Sequence, residues 1–209
     1  MHLSIIMEKY KTTRHNLNSM EVYARGKRGI VYKDGGVCVK EKNPRSIVNT
    51  LANEAQYLQM LNKKGIGPKF IKFEDGKLFR QFIEGVPISE FFEQEYDKEK
   101  ILSVIKQILE QCREIDLMGI DKQELTNPHK DILITPDNKA VMIDFERCKE
   151  SKKPQNVTQF LQYLARSKPT LEMKSIIIDK QELISLGQEY KKNPSEETFG
   201  KIIKFIINR

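Results

Sequence analysis

Within its first third the chain changes hydrophobic period once, and that change limits what it can fold into. Residues 21–42 alternate apolar and polar side chains in short runs, VYA, IVYK and VCVKEK. A period of two marks strands with one buried face. A glycine-bearing turn with Gly26 and Gly29 joins the first two runs, and Asp34-Gly35-Gly36 joins the next two. The second is a hairpin signal, because glycine accepts the positive φ of a tight turn. From Asn43-Pro44 onward the period lengthens to that of a helix, with Ile47, Leu51, Leu58 and Leu61 on one stripe and Lys63, Lys64 and Gly65 as its stop. Glu54 falls in the middle of that stripe. A carboxylate on an apolar face needs a partner. Lys40, in the strand VCVK, is placed to supply one, and Lys42 on the same strand face is the alternative.

After Pro68, KFIKF and KLFRQFIEG read as two more strands. Residues 20–84 are thus expected to form a small sheet with one helix, preceded by an arm over residues 1–19. Residues 85–209 are expected to form a second, mainly helical lobe. Its strongest helix covers residues 98–118, with Ile101, Ile105, Ile108, Cys112 and Ile115 on one face and Gly119 as its end. Further helices are expected near residues 155–167, 171–191 and 195–207.

Between these helices, an irregular IDKQELTNPHK leads into ILIT, PDNK and AVMIDF, a hairpin pattern. A turn centred between Asp137 and Asn138 puts Asp131 opposite Asp144. Two facing carboxylates repel, and a divalent cation with a preference for hard oxygen ligands resolves the repulsion, which makes them candidate magnesium ligands. Asp144 follows AVMI and precedes Phe145, an apolar setting for a charge.

Composition narrows the partners. The formal net charge is +7, with basic residues concentrated at Lys9, Lys11, Arg14, Arg25, Lys27, Arg28 and Lys33 and again in the last sixty or so residues. A basic surface attracts phosphate-bearing partners such as ATP or RNA, and acidic protein segments. Cys38, Cys112 and Cys148 are odd in number and form no CxxC pair, which argues against a disulfide framework or a zinc site and for packing roles in a reducing, cytoplasmic setting. No apolar stretch approaches the roughly 18–20 residues of a membrane span, so no membrane partner is expected.

Taken in order, these pieces resemble the protein-kinase scaffold. ARGKRGIVY resembles its glycine loop, VCVK its strand lysine, NEAQYL the helix that carries its glutamate, and LFRQFIEGVPI its hinge, while IDFE resembles its metal-binding DFG with Glu146 in place of glycine. QELTNPHKDILIT, followed by DFE and PQNVTQFLQYL, is more similar to the compact archaeal predicted serine/threonine kinases. These are related to the RIO kinases, the small kinase of the KEOPS complex and the lipopolysaccharide kinases. The resemblance implies an α+β, two-lobed protein-kinase-like fold and ATP- and magnesium-dependent phosphoryl transfer. It assigns the phosphates to Gly26, Gly29 and Lys40 with Glu54, the adenine to the segment of Gln81, Phe82 and Ile83, and the metal to Asp144 and Asp131.

Two departures keep alternatives open. The usual HxDxxxxN pattern becomes Lys122-Gln123-Glu124-Leu125, so that Glu124 stands for the catalytic aspartate and Asp131 for the asparagine, with two extra residues between them. Asp121 and His129 are other candidate bases. Only about ten residues separate Glu146 from the next predicted helix, too few for a long activation segment. The acceptor is therefore open between a protein, a small molecule and the chain itself. The competing functions are a nucleotide-binding pseudokinase or scaffold, and an RNA- or ribosome-associated module.

Overall fold

A computed structural model describes residues 20–95 and 97–209, so the arm expected over residues 1–19 lies outside the described residues. The protein is α+β, with a small antiparallel sheet and several helices, and divides into two compact units. Unit 1 runs to Glu84 and takes in Met142–Cys148, whereas unit 2 comprises Gly85–Val141 and Lys149–Arg209.

Unit 1 is built on β1 (Glu21–Arg25), β2 (Gly29–Asp34), β3 (Val37–Lys42), β4 (Phe70–Glu74) and β5 (Lys77–Gln81), in the order β1-β2-β3-β5-β4, antiparallel throughout. Gly35 takes φ 53° in the turn between β2 and β3, as the Asp-Gly-Gly signal requires. β3 lies at the centre of the sheet. Its Val37 and Val39 are fully buried and pack with Ile71 and Phe79. Helix α1 (Leu51–Asn62) covers the sheet through Leu51, Ala55, Leu58 and Leu61, with Glu54 buried among them.

The helix begins later than its apolar pattern implies. Asn43 accepts from Arg45 N and donates to Gly26 O, Ser46 Oγ bonds to Val48, and Asn49 accepts from Leu51 N. Short polar side chains that bond to nearby backbone compete with helix formation. Residues 43–50 are therefore irregular, and Ile47 is 98% exposed rather than part of the buried stripe. The segment Met142–Cys148 folds into the same unit. A Cβ on Gly67, whose φ is 82°, would come within 2.8 Å of the Phe145 ring, so the absent side chain is what lets Phe145 pack there.

β6 (Val86–Pro87), β8 (Ile132–Ile134) and β9 (Ala140–Met142, of which Met142 belongs to unit 1) form one small sheet, and in unit 2 β7 (Ile120–Asp121) pairs with β10 (Lys149–Glu150). Around them lie α2 (Ile88–Gln94), α3 (Lys98–Leu117), α4 (Asn156–Arg166), α5 (Lys168–Glu172), α6 (Lys180–Lys192) and α7 (Glu196–Ile207). α3 carries the stripe read from sequence, all five residues fully buried, and is capped by Asp97, which accepts from Glu99 N and Lys100 N. It packs against α4 and α7, and α4 packs against α6.

Two expectations change. The single helix over 171–191 is broken: Ser175 takes φ 59°, Ile176 N donates back to Leu171 O, and Asp179 caps a new helix through Glu182 N. The β8–β9 turn encloses three residues, not two, with Thr135 N donating to Lys139 O and Asn138 at φ 58°. This moves the register by one and removes the pairing argument that set Asp131 opposite Asp144. The three cysteines are free and buried, and among the described residues no helix is long and apolar enough to cross a membrane.

Candidate functional site

Lys40 leaves the central strand with its side chain 9% exposed and ends among three carboxylates of unit 1. Its Nζ lies 2.7 Å from Glu54 Oε2, 3.2 Å from Asp144 Oδ1 and 3.6 Å from Glu146 Oε2. Glu54 is 1% exposed, so α1 presents a fully buried carboxylate to the sheet, and the partner is the lysine that the sequence singled out. Lys42, the alternative, stands opposite Gly29 at the end of β3. Gly29 itself lies over Lys40: a Cβ there would sit 3.0 Å from Lys40 Cε and 3.3 Å from Glu41 O. The glycine thus leaves room for the lysine stem.

Asp144 follows β9 with φ 60°. A non-glycine residue in the left-handed region costs energy and persists only where its surroundings enforce it. Here Asn53 Nδ2 donates to the carbonyls of Glu146 and Cys148, and Cys148 N closes a turn onto Phe145 O. Glu146 is a residue whose role the sequence did not disclose. It accepts from Arg28 Nη1 at 2.8 Å and Thr50 Oγ1 at 3.0 Å, and so ties the glycine turn and the start of α1 to Asp144's loop. The signal was the glutamate where a DFG glycine is expected.

Electrostatics follow from this crowding. Burial opposes the charge on Lys40, but Glu54, Asp144 and Glu146 outweigh it and hold the ammonium above the ordinary lysine range. For Glu54 burial dominates, and Asp144 adds to it, so its carboxyl is pushed up against the pull of Lys40. The carboxylate oxygens of Glu54, Asp144 and Glu146 lie within 4.8 Å of one another. Lys40 Nζ already stands among them as their cation, so the triad as a set is not a magnesium cage; of the three, Asp144, whose side chain is 40% exposed, is the hard oxygen donor that a magnesium ion could approach from solvent. Gln81 ends β5, where its Oε1 accepts from Lys69 N, while Ile83 is buried and Phe82 N donates to Gly36 O.

In unit 2 the loop after β7 is held from below by a polar network. Asn156, fully buried at the start of α4, accepts from Lys122 N and donates to Ile120 O and Asp116. Asp116 also accepts from Asn156 N, Val157 N and Tyr190 Oη. Gln159 donates to Asp121 and accepts from Leu125 N. Within this frame Gln123 and Glu124 take φ 61° and 60° in succession, and Glu124 is exposed at the tip. Two consecutive strained residues cost roughly 1–3 kcal/mol each, which the network must offset.

Asp121, the alternative base, is buried and accepts from Gln159 and Gln123 N, so it serves as a brace for the loop. Asp131 Oδ2 lies 3.7 Å from the buried Lys122 Nζ. His129 is exposed and stacks edge-on with Tyr163. Asn156, Gln159 and Asp116 escaped the sequence reading, although PQNVTQ places two of them three residues apart near a helix start.

No protein-family model matches the chain. It is similar to an uncharacterized protein of Methanocaldococcus jannaschii, 32% identical over 78 residues, a stretch covering 37% of this chain and 65% of that protein.

Proposed function

We propose that the chain is an ATP- and magnesium-dependent kinase with a two-lobed, protein-kinase-like fold, related to the compact archaeal serine/threonine kinases that its motifs resemble. The observation that carries this reading is the cluster in which Lys40 meets the buried Glu54 at 2.7 Å beside a left-handed Asp144. A buried ion pair contributes little net stability once desolvation is charged against it, so a role in holding phosphate oxygens is the more economical account.

In this reading Lys40, oriented by Glu54, neutralises the phosphate oxygens of ATP under the turn of Gly26 and Gly29, and the segment of Gln81 and Ile83 meets the adenine. The acceptor hydroxyl oxygen bonds to the γ-phosphorus as the bond from that phosphorus to the ADP oxygen breaks, and Glu124 takes the hydroxyl proton. Magnesium, when bound, would neutralise charge on the phosphoryl oxygens; Asp144 is the residue that would hold it, and Asp131 is a further ligand that the resemblance alone implies. A serine or threonine hydroxyl is the proposed acceptor. The two extra residues between Glu124 and Asp131 favour a second reading, a nucleotide-binding pseudokinase or scaffold.

Calorimetric titration with ATP, with and without magnesium, tests the proposal. Magnesium should tighten binding, and Lys40→Met should weaken it by about tenfold or more, equivalent to at least ~1.4 kcal/mol. Equal affinity in the variant would sink the assignment.

A further inference from the structure

Unit 2 holds a basic concavity on residues that the proposed phosphoryl transfer does not use. It is a cavity of about 930 Å³ beside the last turns of α3 and α6, walled in part by Arg113, Lys152, Lys153, Lys191 and Lys192. Its one acidic lining residue, Asp116, already accepts four hydrogen bonds, so its charge is committed elsewhere. The four lysines are exposed and make no ion pair with a described carboxylate. Lys191 and Lys192 have an ordinary reason to be there, since cations stabilise a helix C-terminus. Lys152 and Lys153 lie in the segment after β10, away from any helix C-terminus.

Arg113 supplies an independent observation. It is 8% exposed and lines the cavity, its Nη1 donates to Tyr190 Oη at 2.9 Å, and its Nε has no hydrogen-bond partner. That Nε is shielded from solvent and the guanidinium lies over the Tyr190 and Phe199 rings at 5.3 and 5.8 Å, so what Arg113 brings to the cavity wall is a buried positive charge, for which an oxyanion is the natural counter-ion.

We propose that this cavity binds a small oligophosphate, a ligand with two or more phosphate groups and no larger than a nucleotide. Its volume lies in the range of roughly 300–1,000 Å³ typical of small-molecule sites, more than a single phosphate fills. Tyr190 is its one aromatic lining residue and is 2% exposed, so bases of single-stranded RNA would find no stacking platform. The site is independent of the phosphoryl-transfer reading.

Arg113 is a poor residue to vary. Through Tyr190, Asp116 and Asn156 it connects to the backbone of Lys122, so its loss would disturb the loop that carries Glu124. The exposed lysines are the better probes. The test titrates tripolyphosphate, in EDTA, into the full chain carrying Lys40→Met and Glu54→Leu together, a background that removes the competing lysine of unit 1 without stranding the buried carboxylate. One saturable site is expected. Adding Lys152→Gln, Lys153→Gln and Lys192→Gln should weaken it about tenfold or more, whereas a charge-matched Lys63→Gln, Lys69→Gln and Lys204→Gln should change it less than roughly threefold. Equal losses in both variants, or no saturable binding, would overturn the site in favour of diffuse surface charge. A single-stranded RNA oligonucleotide that binds through the same lysines and resists displacement by tripolyphosphate would overturn it in favour of RNA.

Discussion

Replacing Lys40 with methionine strands Glu54, a carboxylate 1% exposed with its nearest cation gone. Breaking a buried pair in this way typically costs about 3–5 kcal/mol. Protonation of Glu54 limits the cost: carrying a proton at pH 7 on a group with an unfolded pKa of about 4.3 costs about 3.7 kcal/mol. The destabilisation of Lys40→Met should therefore be close to 4 kcal/mol at pH 7 and shrink by about 1.4 kcal/mol per unit as the pH falls toward 5. The sign follows from burial, which raises the Glu54 carboxyl, so the folded variant binds the proton first and gains stability on acidification.

Glu54→Leu should cost less, because Lys40 keeps Asp144 at 3.2 Å and Glu146 at 3.6 Å. The double variant Lys40→Met/Glu54→Leu should recover to within ~1 kcal/mol of the native protein, since an apolar pair of similar volume replaces the ions. Its remaining carboxylates are provided for, Glu146 by Arg28 at 2.8 Å and Asp144 by solvent. ATP binding should not recover. Urea unfolding at pH 5 and pH 7, run beside ATP titration, reads both effects. A double variant as unstable as Lys40→Met, or one that binds ATP like the native chain, would refute the reasoning.

Two further outcomes follow from the same contacts. Asn156→Ala removes the bonds to Lys122 N, Ile120 O and Asp116 from a fully buried position, and should cost about 3–5 kcal/mol, with three groups left short of partners at ~1–3 kcal/mol each; chemical denaturation checks it. On the alkaline side, the three carboxylates hold Lys40 above the ordinary lysine range, so its stabilisation is complete below about pH 10.4, where the unfolded chain begins to lose the proton, and is lost as pH rises through the folded value. Above pH 10.4 the native protein should therefore lose stability more steeply than Lys40→Met, by up to about 1.4 kcal/mol per unit in denaturant melts.

Features that violate a local pattern were the most legible in the sequence. Glu54 interrupts an apolar stripe and Lys40 sits in a buried strand, and each anomaly finds its resolution in the other. The turns at Asp34-Gly35-Gly36 and Gly119 were equally legible, because glycine there reports a backbone conformation that L side chains resist. Where the same conformation falls on another residue type, the signal is missing. Asn138 shifts the β8–β9 register, and Ser175 breaks the helix expected over 171–191, both at positive φ.

The start of α1 was hidden for a different reason. Ile47 satisfies the helical period, but Asn43, Ser46 and Asn49 hold the backbone with their own side chains. Glu146 was illegible because its partners Arg28 and Thr50 are 118 and 96 residues away along the chain. The brace beneath Glu124 joins Asp116, Asn156 and Gln159 across about 40 residues, and no local period connects such groups.

The measurement that bears most directly on the central claim is turnover of γ-labelled ATP by the purified chain with magnesium, beside Asp144→Ala and Glu124→Ala. The native protein should release or transfer the labelled phosphoryl group, and each variant should lose about 10²-fold or more of that rate. A native chain that binds ATP without turning it over, or a Glu124→Ala variant that matches it, would contradict the account.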